Sequence, residues 1–342
     1  MKAAIFLGPS NIKITDVPEP KIGKDEVLIK VKRIGVCPTD LRYYQGLRGE
    51  ETFEGIPFTT GPDTFGLSGH EIIGEIVATG ENVKHFQKGD QVTHETFTYC
   101  GVCNYCQSGL INLCEVKKDI ARGYAEYVKV PEKFVYIFDK KVDPVMGAFA
   151  EPLSVVIHAV KKIPTKNVII VGAGPMGLIM ALYATYIGKE TTVLEINEKR
   201  IEFAKSLGLR NVYSPKDDSW REKTKFNSNN LYSSITTVGG KEAIQLALNL
   251  ASASAPAVIF GGTYPKDTVP IDPNSIHYTE KVLTGSSDHT KEDMLESIKI
   301  IEQGAIKLNK LITGEYDLNH LKDAFDNILS GKEMKVQIVV ES

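Results

Sequence analysis

A chain of 342 residues exceeds what one typical core supports, so two domains are expected, each able to bury a core of its own. Its composition, 42% hydrophobic and 24% charged, is that of a folded globular protein. A formal net charge of −3 with no long run of one sign excludes a basic face that tracks phosphates and a polybasic membrane patch, so neither nucleic acid nor a membrane is an expected partner.

At the N-terminus, "MKAAIFLGPS" offers one lysine and a short apolar stretch that stops at Gly8-Pro9. That is too little for the apolar region of a signal peptide, which points to a cytoplasmic protein. The first 150 residues then read as strands and turns. In "EVLIKVKRI", Val27, Ile29 and Val31 alternate with Lys30 and Lys32, and "HEIIGEIVATG", "GDQVT" and "YAEYVKV" are further short runs near glycines. This half is predicted to be an antiparallel β domain. Within it, "GVCPTDLRYYQG" carries Cys37, and "GHEII" carries His70 and Glu71. Taken singly, a lone cysteine is usually core and "GHE" is an ordinary loop.

The other four cysteines, Cys100, Cys103, Cys106 and Cys114, are spaced C-x2-C-x2-C-x7-C, with Gly101 and Gly109 giving the backbone room to fold around a centre. Four thiolates this close can fill all positions of a tetrahedral zinc, which makes such a site structural. Disulfides are disfavoured in a cytoplasmic protein, an iron–sulfur cluster uses similar spacings, and plain buried cysteines rarely crowd this way.

From about residue 153 strands alternate with helices: "NVIIV", "PMGLIMALYATYIG", "TTVLEI", "EKRIEFAKSLG". Such alternation means βαβ units around a parallel sheet. The 22 residues from Asn167 to Gly188 carry no charge, the length of a membrane span, but Gly172, Gly174, Pro175 and Gly177 in their midst favour a buried strand turning into a helix. Those glycines spell G-x-G-x-x-G, with Pro175 and Met176 between the second and third. Gly172 suits a tight turn, Gly174 lets a pyrophosphate approach the backbone, and Gly177 lets helix and strand pack closely. Glu195 ends the next strand, 18 residues after Gly177, where an acid binds the ribose hydroxyls of an adenosine. A packing turn with a chance acid is the plain alternative. Beyond, "DDSWREKTKFNSNNLYSS" is polar and reads as a variable loop. "EAIQLALNLA", "KEDMLESIKIIEQGAI" and "LNHLKDAFDNILSG" read as helices, and "AVIFGG" and "KVLTGSS" as strands.

A Cys, a His and a carboxylate gathered by the fold would make a zinc site with a position left open for substrate. Combined with the cysteine lobe and the dinucleotide turn, the chain resembles the zinc-containing medium-chain alcohol and polyol dehydrogenases. The resemblance runs through "GVCPTD", "GHEIIGEIVATG", "GDQV", the cysteine lobe, "AEPLSVVIHAV", "VGAGPMG" and "LKDAFDNILSGKEMKVQIVV". It implies an α/β protein in which residues 1–152 and 288–342 form a GroES-like β-barrel catalytic domain, with a structural zinc lobe at about 95–115. Residues 153–287 would form a Rossmann domain, a doubly wound parallel sheet, with the active site in the cleft between the two domains. It also implies two zinc ions per chain, NAD as cofactor, and a homotetramer or homodimer built through the Rossmann sheet edges.

Residue by residue, the resemblance implies that Cys37, His70 and Glu71 surround a catalytic zinc, with Glu151 of "AEPL" a further candidate ligand. A structural salt bridge is the alternative for Glu151. Asp40 would hold His70 and fix its tautomer, and Thr39 stands where the family carries the hydroxyl that takes the alcohol proton. Glu195 favours NAD over NADP. Lys199 and Arg200 follow on the next helix, and Arg200 is a further cofactor-binding candidate.

Two departures stand out. Arg42 occupies a position where relatives often carry a proton-relaying histidine, and arginine cannot act as a base. The segment between Cys37 and His70 is longer than in commoner members, and residues 48–68 are expected to border the substrate cleft. The branch with "GHE" and "AEPL" implies oxidation of a secondary hydroxyl in a polyol or sugar, and Arg42 beside Glu71 and Glu151 suits a substrate rich in hydroxyls. L-threonine 3-dehydrogenase activity, simple secondary alcohols or diols, and a non-catalytic zinc-binding role are the alternatives.

Overall fold

The computed structural model describes residues 1–47, 69–120, 123–226, 229–263 and 267–340. The expected cleft-bordering segment 48–68 lies outside the described residues. The chain divides into two compact units, Met1–Glu151 with Met294–Ser342, and Pro152–Asp293. The breaks expected after residues 152 and 287 differ from these by one and six positions. Both observed breaks fall inside helices, Ala150–Val160 and Lys291–Glu302, where no loop composition marks a boundary.

In the first unit, strands β1 (Lys2–Gly8) and β2 (Asn11–Asp16) form a hairpin. The larger sheet is built from β3 (Glu26–Gly35), β4 (Glu71–Thr79), β5 (Gln91–His94), β8 (Tyr127–Pro131) and β9 (Val135–Phe138), while β6 (Phe97–Thr98) and β7 (Lys118–Asp119) pair at the base of the cysteine lobe. The second unit supplies β10 (Asn167–Val171), β11 (Glu190–Leu194), β12 (Val212–Tyr213), β13 (Tyr232–Thr236), β14 (Pro256–Ile259) and β15 (Val282–Gly285). The chain then returns to the first unit for β16 (Gly314–Asp317) and β17 (Val336–Val339).

The seven-stranded sheet runs β16-β17-β3-β4-β5-β9, with β8 also paired to β3. All its pairings are antiparallel except β16 with β17. Alternation in β3 places Val27, Ile29 and Val31 in the core, where they meet Ile72, Ile76, Val92, Val130 and Phe325. Register matters at its far end, where Gly35 stands opposite both Glu71 on β4 and Gln337 on β17. A side chain at Gly35 would put its Cβ 1.9 Å from Glu71 Oε2, so only glycine leaves Glu71 its path.

The second unit is a six-stranded sheet, parallel throughout, in the order β12-β11-β10-β13-β14-β15. With β10 as the first strand, this is the 3-2-1-4-5-6 order of a doubly wound dinucleotide-binding fold, whose ligand crevice lies at the carboxyl ends of the central strands. The uncharged run resolves into β10 and the helix Pro175–Tyr186, and among the described residues no helix is long and apolar enough to cross a membrane. The stretch read as a variable loop instead contains a short helix, Ser219–Lys223, and the start of β13. Trp220 there is buried and packs with Phe226 and Tyr232 into the core under the sheet. Three aromatics scattered among eighteen mostly polar residues show no period, so no sequence signal marked them as core.

Candidate active site and metal centres

The cysteine lobe brings Cys100, Cys103, Cys106 and Cys114 together, their sulfurs all within 4.8 Å of one another. Cys100 lies 3.9 Å from Cys106 and 3.7 Å from Cys114. A tetrahedron with zinc–sulfur bonds of about 2.3 Å has edges of about 3.8 Å, so the four sulfurs fit a closed zinc site. Backbone amides are aimed at them: Val102 and Cys103 donate to Cys100, and Cys100 donates to Cys114. The amides of Cys106 and Glu115 draw the Cys103 thiol down to about 6, whereas desolvation first, and its sulfur neighbours after it, push Cys106 up to about 12. Four thiolates cannot share so small a volume without a cation among them.

Cys37 precedes a seven-residue helix, Pro38–Tyr44, that starts on a proline suited to its first turn. Asp40 reaches back from that turn, its Oδ2 accepting from the Cys37 amide at 2.9 Å. The carboxylate is wholly buried. Its Oδ1 accepts from the Gly69 amide at 3.1 Å and lies 3.6 Å from His70 Nδ1. With Nδ1 turned to Asp40, Nε2 is the nitrogen left for a metal.

Cys37 stands close enough to His70 to bear on it electrostatically. Burial acts to lower the His70 pKa, but the negative charges of Cys37, Asp40 and Glu151 outweigh it and leave the ring well above the ordinary histidine range. A thiol and an imidazole gathered about one buried carboxylate, with further buried acids nearby, are the donor types that zinc selects.

The carboxylates are placed differently. Glu71, only 1% exposed, forms an ion pair through Oε2 with the equally buried Lys335, whose Nζ also donates to the Val36 carbonyl at 3.1 Å. Glu71 Oε1 is buried without a hydrogen-bond partner, an acceptor that a cation would satisfy. Glu151 is buried on the helix Ala150–Val160 and bears electrostatically on His70. Among the described residues, no third His, Cys, Asp or Glu joins Cys37 and His70 at the close spacing of the cysteine lobe. Thr39, half-buried, follows Cys37 in the helix, and Arg42 lies in its last turn. Two further residues, Lys335 and Tyr124, belong to this constellation. Tyr124 is fully buried, donates to Asp40 Oδ2 at 2.7 Å, and is held well above the usual phenol range by burial first and by Asp40 second.

In the second unit Gly172 follows β10 with φ +105°, the left-handed conformation that favours glycine. Gly174 precedes the helix Pro175–Tyr186, and a Cβ there would meet nothing within 4 Å, which leaves the space a pyrophosphate needs. A Cβ on Gly177 would lie 2.1 Å from the Gly172 carbonyl. Pro175 and Met176 form the first turn of that helix. Glu195, at the end of β11, accepts from the amides of Ala173, Ile196 and Asn197 at 2.8, 2.8 and 3.0 Å. Arg200 lies 3.9 Å from the same carboxylate, and Asn197 caps the helix that carries Lys199 and Arg200.

Residues 23–140 match the family profile of the alcohol dehydrogenase GroES-like domain, and residues 175–303 that of the zinc-binding dehydrogenases. The two profiles together take in more than half of the chain. The chain is 29% identical to a sorbitol dehydrogenase of Bacillus subtilis, covering 99% of this chain and 97% of that protein. It is 28% identical to an L-threonine 3-dehydrogenase of Streptomyces avermitilis, covering 94% of each. Among solved structures it is similar to a zinc-binding dehydrogenase from Sinorhizobium meliloti bound to NADP, with 27% identity, a TM-score of 0.86 and 99% of both chains covered. Fold, thiolate lobe, dinucleotide turn and end-to-end similarity agree that the chain belongs to the zinc-containing medium-chain alcohol and polyol dehydrogenases, oxidoreductases that act on CH–OH groups with a nicotinamide cofactor.

Proposed function

We propose that this protein oxidises a secondary hydroxyl of a polyol or sugar, reversibly, with NAD as the hydride acceptor, and that it carries a catalytic zinc at Cys37 and His70 besides the structural zinc of the cysteine lobe. The gathering of Cys37 and His70 about Asp40, with Glu71 adjoining His70 and Glu151 bearing on it, carries this reading. When bound, zinc acidifies a substrate hydroxyl and the nicotinamide ring takes the hydride. The chain's own residues do the rest. Cys37 and His70 would hold the metal, and Asp40, beside His70 Nδ1, would keep the ring in the tautomer that leaves Nε2 available to it. The Thr39 hydroxyl, two residues from Cys37, would take up the substrate proton while passing its own to the nicotinamide ribose and on to water, since Arg42 cannot act as a base, and Gly174 would admit the pyrophosphate. Buried acids beside the metal ligands and Arg42 in the adjoining helix supply partners for further hydroxyls. A site built on such bonds rejects analogues that lack them.

The preference for NAD rests on Glu195. Three backbone amides hold its carboxylate at the end of β11, the position from which an acid would bind the ribose hydroxyls and oppose a 2′-phosphate. Arg200 beside it is already paired with that carboxylate. The Sinorhizobium meliloti relative was solved with NADP, so the two cofactors must be compared by kcat/KM. An advantage for NADP would assign the choice to Lys199 and Arg200 instead.

Sorbitol, xylitol, glucose, galactose, threonine, 2-butanol and butane-2,3-diol with NAD form the substrate test. A polyol or sugar is expected to lead. If 2-butanol matches the best polyol in kcat/KM, neighbouring hydroxyls contribute nothing and the substrate class is wrong. A threonine maximum would align the chain with its Streptomyces avermitilis relative.

A further inference from the structure

We infer that Tyr124 is a positioning residue for the Cys37–His70 pair, its phenolic hydroxyl fixing the Asp40 carboxylate that orients both; this rests on the reading of that pair as a zinc site. Three donors hold Asp40, and they come from three separate segments. The Cys37 amide belongs to the start of the first helix, the Gly69 amide to the residue before His70, and the Tyr124 hydroxyl to the segment leading into β8. The two amides move with the ligands themselves. Tyr124 alone among these donors is anchored elsewhere.

That anchorage is visible in its packing. The Tyr124 carbonyl accepts from the Ala4 amide at 2.8 Å, and its ring meets Phe325 edge-on at 5.6 Å between centroids. Gly69 has φ +86°, and a Cβ there would stand 3.0 Å from both the ring and the amide nitrogen of Tyr124. The Gly123 amide closes the same contact by donating to the Gly69 carbonyl at 3.1 Å. Tyr124 is therefore pressed against the residue preceding His70, and its side chain is fully buried. At 2.7 Å its bond to a carboxylate is a short charge-assisted one. Without it, Asp40 Oδ2 retains only the Cys37 amide, and the carboxylate is free to turn away from His70, from which it already stands at 3.6 Å.

The test is Tyr124→Phe, which removes one oxygen and keeps the ring. Full-length wild type and variant are loaded with zinc, and release to a chelator is followed without substrate or cofactor. Two phases are expected in the wild type, the one missing from Cys37→Ser being the catalytic site. In Tyr124→Phe that phase should accelerate roughly 10-fold, the lower end of what losing a ligand's own partner costs in metal affinity, while the cysteine-lobe phase stays unchanged. Asp40→Asn should accelerate the same phase, and the double variant should add little to either single one, as residues acting in one chain do. Unchanged release in Tyr124→Phe overturns the inference and leaves the proposed function standing, even if thermal stability falls, since that would be packing alone. A wild type with a single release phase, shared with Cys37→Ser, overturns both.

Discussion

Lys335 and Glu71 set the cost of error at single residues in the first unit. Each is about 1% exposed, and they form an ion pair at a point where Gly35 has given up its side chain to make room. Lys335→Met would strand a buried carboxylate, and breaking such a pair from one side costs about 3–5 kcal/mol. Lys335→Met combined with Glu71→Gln should recover much of that loss, because no net charge then remains uncompensated. Urea unfolding of the two variants checks this, and equal losses in both would show that Lys335 acts through packing against Phe149 rather than through charge. Residue-scale chemistry was only partly legible in the sequence. Cys37, His70 and Asp40 could be named because they sit in short recognisable strings, and Glu71 because it adjoins His70. Lys335 lies 264 residues from Glu71 and Tyr124 lies 84 from Asp40, and both are joined to the site by strand register, which no local spacing encodes. The pairing of β17 with β3 and of β3 with β4 brings Lys335 to Glu71, and the pairing of β8 with β3 brings in Tyr124.

Elements show which glycines serve packing and which serve a ligand. The strand β10 and the helix Pro175–Tyr186 approach so closely that Gly177→Ala would press a methyl into the Gly172 carbonyl, forcing helix from strand. Gly174→Ala meets nothing, at φ −72°, a conformation any residue adopts. The first variant should lower both the melting temperature and NAD affinity. The second should leave melting unchanged and weaken NAD about tenfold or more, because its methyl fills space the pyrophosphate needs. Thermal melting beside a fluorescence titration with NADH separates them, and a stability loss in Gly174→Ala would contradict this division. The same unit fastens its connecting helices at Asp293, which accepts from His158 Nδ1 at 2.8 Å, Lys161 Nζ at 2.7 Å and the Thr290 amide and hydroxyl at 2.9 and 2.8 Å. Burial works to raise the Asp293 pKa, but these donors prevail and hold it well below the usual carboxylate range. A folded-state pKa depressed below the unfolded value of about 3.9 contributes stability that is complete above that pH and lost as pH falls through it toward the folded value. The stability gap between wild type and Asp293→Asn is therefore expected to be greatest at pH 5 and above and to shrink below about pH 4. A gap that widens with acid would reverse the sign. Strand and helix periods disclosed these elements well, yet not that both connections between units run inside helices, because a helix crossing a boundary keeps its amphipathic pattern unbroken.

At the level of the whole molecule, the cysteine lobe and the Cys37–His70 site are expected to bear on stability in opposite ways. The cysteine lobe has little core of its own. Its helix Asn104–Gln107 buries no residue, and Val102, Tyr105, Leu110, Leu113 and Val116 are exposed. A segment that buries so little apolar surface is expected to depend on a bound metal, whose binding energy would then be folding energy. Cys37 and His70, by contrast, immediately precede a helix and a strand packed into the main core, with Tyr44 of that helix donating to Asp326 at 2.9 Å and meeting Phe325 edge-on. Cys103→Ser should consequently lose one zinc per chain and melt earlier, by roughly 2–4 °C for each kcal/mol of lobe stability that is lost. Cys37→Ser should lose the other zinc and nearly all turnover while melting close to wild type. Metal analysis and calorimetry on the two variants decide the matter. If Cys37→Ser melts early and Cys103→Ser does not, the roles of the two sites are exchanged. If purified active protein contains iron with sulfide instead of zinc, the tetrahedral reading of the lobe fails, whatever the sulfur distances.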